Sequence, residues 1–329
     1  MKIFPVTILA VAAMLRAEAA PLLNASYDVT REFYADYNAA FAKHWTGAGN
    51  APVAIEQSHG GSSKQARAVV DGLAADVVTM NQDTDIQLIA DAGLIAPDWR
   101  KRLPDHAAPY TSPIVFLVRK GNPREIKDWP DLVKPGVEVI IPNPKTSGNG
   151  RYSYMAAWAF ARNSAGGNDA KAKEFVGALF RNAPLLPAGG RDATNAFDQR
   201  GLGDVLLTFE SEALQITRVF SPGKYEVVTP GSSILAEAPV SVVDKVVDKH
   251  DTRAVATEYL KYLWSDEGQQ IAVKHFFRPR SQELLAANAA LFPKLELHTV
   301  DETFGGWGEA QKHFADGGTF DSIFQPANK

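Results

Sequence analysis

A chain of 329 residues, 45% hydrophobic and 22% charged, is long enough for one large domain or two modest ones and too apolar for a disordered or fibrous protein. Its 34 basic and 38 acidic side chains leave a formal net charge of -4, which provides no basic face for nucleic acid but still allows a small anion to bind locally. Without cysteine there is no disulfide, thiolate metal site, cysteine nucleophile or lipid-modified N-terminal cysteine.

Lys2, the apolar run from Ile3 to Leu15 and the small-residue stretch Ala17-Glu18-Ala19-Ala20 predict a secretory signal peptide over residues 1–20, cleaved before Pro21. The run falls short of the ~20 apolar residues a membrane span needs, and Pro5 and Arg16 interrupt it. An exported, unanchored mature protein is the expectation.

From residue 22 onward, short β-rich runs alternate with amphipathic helical stretches, the pattern of an α/β protein with mainly parallel sheets. Strands are predicted at residues 22–26, 53–57, 75–80, 114–119, 137–141, 205–209 and 240–243. Between them, Phe33, Tyr37, Ala40 and Phe41 share one helical face, as do Val69, Val70 and Leu73, and residues 154–160 carry a third stripe. Asp251 and Thr252 are cap candidates for a later helix bearing Tyr259, Tyr262, Leu263 and Trp264. Pro109 to Pro113 and the segment Thr229-Pro230-Gly231-Ser232-Ser233 mark two joints. They divide the chain into a first lobe over residues 21–112, a second over 113–236, and a return over 237–329 to the first lobe, with C-terminal helices packing across both. A cleft between such lobes is a favoured ligand site.

Four strand-to-helix turns share one composition: Tyr27-Asp28-Val29-Thr30-Arg31, Ser58-His59-Gly60-Gly61-Ser62-Ser63-Lys64, Pro144-Lys145-Thr146-Ser147-Gly148-Asn149-Gly150-Arg151, and Ala188-Gly189-Gly190-Arg191-Asp192 before a helix expected near Thr194. Each places small or polar residues where a helix starts, leaving backbone N–H groups unpaired at the positive end of the helix dipole. Such ends attract anions. Capping alone accounts for any one of these turns, but it does not call for Gly60-Gly61, Gly148 or Gly189-Gly190. Glycine there either lets a ligand approach the main chain or permits positive φ. The hydroxyls of Ser62 and Ser147 can add donors to a buried dianion. Lys64, Arg151 and Arg191 are expected behind the turns, paired with carboxylates such as Asp192, and Arg31 on a solvated face.

Catalytic patterns are missing. Gly60-Gly61-Ser62-Ser63 is not a nucleophile elbow, and the seven histidines include no H-E-x-x-H pair. Asp83 and Asp85 read as acidic first-turn residues of a helix rather than a cation site. There is no phosphate-binding P-loop or dinucleotide fingerprint, and no cofactor or metal is expected.

Five segments in order, Ser26 to Glu32, Gln57 to Gln65, Val118 to Pro123, Pro142 to Asn149 and Ile234 to Glu237, resemble the bacterial periplasmic sulfate/thiosulfate-binding proteins. The likeness runs from about Leu22 to the Phe304-Gly305-Gly306-Trp307 region. It implies a two-lobed, type II-like periplasmic binding protein, each lobe a mainly parallel sheet flanked by helices. Such a protein is a monomer that captures thiosulfate or sulfate in its cleft and delivers it to the membrane permease of an ABC importer. Carried over by position, the family's donors fall on the backbone N–H of Asp28, Ser62, Gly148, Asn149 and Gly190 and on the hydroxyl of Ser147. Asn149 stands where a second glycine is usual. Phe209 stands where the sulfate-type proteins have a tryptophan N–H, so one donor is lost and the softer terminal sulfur of thiosulfate is favoured. Asn81-Gln82, the 145–149 turn and Gly201 to Glu212 also look closer to the thiosulfate-binding branch. The competing readings are a receptor for molybdate or phosphate, and an exported hydrolase or sulfur transferase.

Overall fold

The computed structural model describes residues 21–324; the expected signal peptide lies outside the described residues. In chain order the strands are β1 (Leu22–Tyr27), β2 (Ile55–Gly60), β3 (Val77–Thr79), β4 (Tyr110–Thr111), β5 (Ile114–Arg119), β6 (Val139–Ile140), β7 (Val205–Phe209), β8 (Tyr225–Val228), β9 (Ser232–Ile234), β10 (Val240–Val242), β11 (Arg278–Pro279) and β12 (Glu296–His298). Two four-stranded sheets carry the two lobes, one in the order β10-β3-β1-β2 and the other β6-β7-β5-β8.

The first sheet is built as expected. Central β1 runs parallel to both neighbours and is buried on both faces, which is why its sequence does not alternate. Its buried polar side chains are paired, Thr79 Oγ1 donating to Asn24 Oδ1 at 3.0 Å and Ser26 sharing a hydrogen with Thr30 at 2.7 Å. The helix Arg31–Gly47 covers this lobe with Phe33, Tyr34, Tyr37 and Phe41, and Phe33 stacks on Tyr37 at 5.6 Å. Such an aromatic pair adds about 0.5–1.5 kcal/mol beyond its burial.

The second sheet corrects the mainly parallel expectation. Only β6 and β7 run parallel, while β5 is antiparallel to both β7 and β8. The register gives the reason: Ile114, where the chain arrives in this lobe, lies opposite Phe209, the last residue of β7. A strand that starts at the cleft must run away from it, against strands that end there. The first sheet repeats the device, for Val240 of antiparallel β10 lies opposite Thr79 at the end of β3.

The connections between the lobes lie side by side. Ser112 donates its N–H to the Ala236 carbonyl at 3.0 Å, and Thr111 bridges Glu237. Farther on, β11 pairs with β4, and Arg278 grips Glu210 of the second lobe with two hydrogen bonds of 2.6 and 2.8 Å. β12 then pairs with β9, taking the chain across a third time. Residues 253–280 pack on the Arg31–Gly47 helix, where Lys274 and His275 bond Asp36. The segment after β12 reaches the second lobe, with His313 against Tyr154 and Asp321 against Lys145.

Candidate functional site

Four helix starts meet where the lobes face each other. Tyr27 ends β1 in extended conformation and leads directly into a short 3₁₀ turn, Asp28–Thr30, ahead of the Arg31–Gly47 helix. Gly61 precedes the helix Ser62–Val70, and Gly189 precedes Gly190–Asp198. None of these three starts is capped by the residue before it, although the Asp28 carboxylate accepts from the Arg191 N–H in the first turn of Gly190–Asp198. The fourth helix, Gly148–Asn163, has Ser147 as its cap, which accepts from the Gly150 N–H at 3.4 Å. The first N–H groups of each helix therefore have no partner along their own helix, and the four starts lie close together. The last of these helices begins at Gly190 rather than near Thr194, because its first turn holds polar and small residues that carry no apolar periodicity.

The approach of the four ends is close. Arg191 donates its backbone N–H to Asp28 Oδ2 at 3.2 Å across the cleft. A Cβ on Gly61 would stand 3.6 Å from the Thr146 carbonyl, and one on Gly190 would stand 3.3 Å from both Val29 and the Asn149 side chain. Gly148 is tighter, since a Cβ there would lie 1.9 Å from Asn81 Oδ1. None of Gly60, Gly61, Gly148, Gly189 and Gly190 has positive φ; Gly148, Gly189 and Gly190 supply space, whereas a Cβ on Gly60 or Gly61 would make only ordinary contacts.

The structure brings Asp28, Ser62, Ser147, Gly148, Asn149, Gly190 and Phe209 around the same closure. Ser62 and Ser147 are buried. Asn149 turns its side chain away, donating to Thr208 Oγ1 at 3.0 Å and accepting from Ser153 at 3.3 Å, so a residue other than glycine fits without covering the helix start. Phe209 is buried with its ring 5.8 Å from that of Tyr152, and it lines a small cavity together with Tyr27, Asn81 and Ser112. Outside, a groove of about 840 Å³ lined by Arg31, Lys64, Lys145, Arg191 and Asp192 leads to the helix starts.

Apart from the Asp28 carboxylate, charged groups stand behind the turns. Arg151 is buried, its guanidinium donating to the Pro144 carbonyl at 2.9 Å and to Ser63 Oγ of the other lobe at 3.3 Å. Ser63 in turn donates to Asp85 at 2.8 Å. Burial raises the Asp85 pKa although Arg151 opposes it, and burial lowers that of Arg151 although Asp85 opposes it. Arg191 meets Glu32 of the other lobe at 3.2 Å and Glu212 of its own at 3.3 Å, not Asp192 as expected, because its side chain spans the cleft instead of folding along its helix. Burial pushes Glu212 up to about 7 against the pull of Arg191, and raises Asp28 against the bond from Arg191. Burial, aided by the charge of Arg31, lowers His59 to about 4, which leaves its ring neutral. Lys64 is exposed on the groove wall, and Arg31 is exposed with one bond of 3.3 Å to the His59 carbonyl.

Sequence reasoning missed Asn81, Asp85, Glu32 and Glu212 as parts of this region. Asp83 and Asp85 do begin a helix, Asp83–Asp91, but that reading gave no sign that Asp85 would be buried opposite Arg151.

The match to the model of the bacterial extracellular solute-binding proteins covers residues 22–278. A thiosulfate-binding protein of Pseudomonas aeruginosa is 58% identical over 94% of this chain and 93% of its own length. A sulfate-binding protein of Salmonella typhimurium is 55% identical over 96% of this chain and 97% of its own. Among solved structures, the sulfate-binding protein SubI from Mycobacterium tuberculosis superposes with a TM-score of 0.81 at 32% identity, covering 88% of this chain and 98% of SubI. With its paired lobes and its closely approaching helix starts, the chain belongs to the bacterial extracellular solute-binding proteins, in the group that contains these sulfate- and thiosulfate-binding relatives.

Proposed function

We propose that this protein is an exported receptor that captures thiosulfate or sulfate between its lobes and hands it to the membrane permease of an ABC importer. In this reading residues 1–20 are a signal peptide removed on export to the periplasm, the mature chain works as a monomer, and no bond of the ligand is made or broken. The observation that carries it is the close approach of four helix starts, three of them uncapped by the preceding residue, from two lobes around Asp28, Ser62, Ser147 to Asn149, and Gly190. A dianion entering there exchanges its water for amide donors already aimed at it, so little reorganisation is needed. The lobes close by rotation at the crossings near 112 and 236. The relatives' names add the chemistry of the anion, and Phe209, with no polar hydrogen, favours thiosulfate over sulfate.

The donor set also dictates what is refused. The converging backbone N–H groups are donors only, so a ligand that keeps a proton presents that hydrogen to a set made mainly of donors. Titration calorimetry with sulfate, thiosulfate, molybdate and phosphate tests the reading. Sulfate and thiosulfate bind and phosphate is far weaker at neutral pH; phosphate as tight as sulfate refutes it.

Two substitutions probe single donors. Ser147→Ala removes one hydroxyl and weakens binding by about 1–3 kcal/mol, a drop of roughly ten- to hundredfold in the same titration. Phe209→Trp restores an N–H beside the cleft and shifts preference towards sulfate. An unchanged ratio of the two affinities removes Phe209 as the selectivity element.

A further inference from the structure

Asn81 is a polar side chain in the cleft whose needs the protein itself does not meet. It lies just after β3 and before the Asp83–Asp91 helix, and is 5% exposed. Its backbone N–H donates to Ser62 Oγ at 3.1 Å, which ties it to the first residue of one converging helix. Its carboxamide rests on Gly148, the first residue of another. Yet its Oδ1 is buried with no hydrogen-bond partner, an arrangement that folded proteins rarely keep without a use. The same side chain lines the small cavity that Phe209 closes.

We infer that the Asn81 carboxamide contacts the bound anion and helps set its specificity, donating its N–H to the ligand atom nearest Phe209. This rests on the reading of the cleft as an oxyanion site. A fully ionised anion offers only acceptors and gives Oδ1 nothing, so the carboxamide turns about its Cβ–Cγ bond to present its NH₂ end to the ligand. An oxygen near Phe209 has Asn81 as its side-chain donor. A sulfur in that position accepts hydrogen bonds weakly and gains from contact with the aromatic ring instead. Sulfate therefore depends on Asn81 more than thiosulfate does. The carboxamide is neutral, so it adds a directed donor without adding a buried charge.

The test is calorimetric titration of the full mature chain, as wild type, Asn81→Ala and Asn81→Asp, with sulfate and with thiosulfate between about pH 5 and 8. Melting curves without ligand establish that each variant folds. Asn81→Ala is expected to lose about tenfold in sulfate affinity and less in thiosulfate affinity. Asn81→Asp keeps the shape but turns a carboxylate towards the anion, so it loses about a hundredfold or more at pH 8. It recovers as the pH falls, because the protonated carboxyl again donates. Asp28, Asp83, Asp85 and Glu212 also have raised pKa values in this region, so Asn81→Ala is titrated over the same range and only the pH dependence that Asn81→Asp shows beyond it is assigned to position 81. Wild-type affinities in Asn81→Ala, or a pH dependence for Asn81→Asp no greater than that of Asn81→Ala, overturn the inference while the receptor reading stands. If the wild-type chain binds neither anion, the receptor reading falls and this inference falls with it.

Discussion

Gly148→Ala is expected to lower the affinity of the cleft for both sulfur anions by about a hundredfold while leaving the melting temperature of the ligand-free protein nearly unchanged. The added methyl would meet Asn81 with Oδ1 at 1.9 Å, Cγ at 2.6 Å and Nδ2 at 2.8 Å, so the whole carboxamide has to move rather than one flexible tip. Gly148 and Asn81 belong to opposite lobes, so opening of the cleft would relieve the collision. Overpacking of this kind costs about 1–3 kcal/mol, and a hundredfold corresponds to about 2.8 kcal/mol. The double variant Asn81→Ala, Gly148→Ala removes the obstacle, so its loss is smaller than the sum of the two single losses. Additive losses, or a destabilised ligand-free protein, contradict this account of why glycine is needed at 148.

The second large effect is expected at Arg151. Arg151→Met keeps much of the side chain's volume but removes the cation that stands beside buried Asp85 and bridges to Ser63 of the other lobe. Taking one partner from a direct buried pair costs about 3–5 kcal/mol, and because Arg151 reaches Asp85 through Ser63 the cost here lies towards the lower end. Here the cost appears on closure, as an affinity loss of roughly a hundredfold or more at neutral pH. The direction with pH follows from Asp85. Burial already raises its pKa, and losing Arg151 raises it further, so the penalty applies to the ionised form. Lowering the pH protonates Asp85 and shrinks the deficit, and Arg151→Met combined with Asp85→Asn removes most of it at every pH. Titrations over a series of falling pH values check this. A deficit that grows on acidification rules out Asp85 as the group involved.

Much of the architecture was legible in the residues, and the parts that were not share a cause. The spans 114–119 and 205–209 were readable because continuous apolar runs mark strands buried on both faces. The direction of β5 was not, since strand polarity depends on which end of the sheet the chain reaches, and no local pattern encodes that. Strands β4, β9, β11 and β12 are two or three residues long, too short for any periodicity, and they form where the lobes join. The site divides in the same way. Its helix starts were visible as glycine and serine at the turns. The partners of Arg191 were not, because Glu32 lies 159 residues away in the chain and only folding makes it a neighbour. Asn81 was noted only for its likeness to the thiosulfate-binding branch and given no place in the site, although its side chain meets Gly148 from the opposite lobe.

The pairing of β12 with β9 adds a third strap to the two that cross near Ser112 and Ala236. Two ribbons alone let a pair of rigid bodies both swing and twist. A third ribbon on the same side suppresses the twist and leaves a single cheap degree of freedom. Each shutting then returns the amides to the same registration around their guest, so little orientational entropy is lost when it is captured.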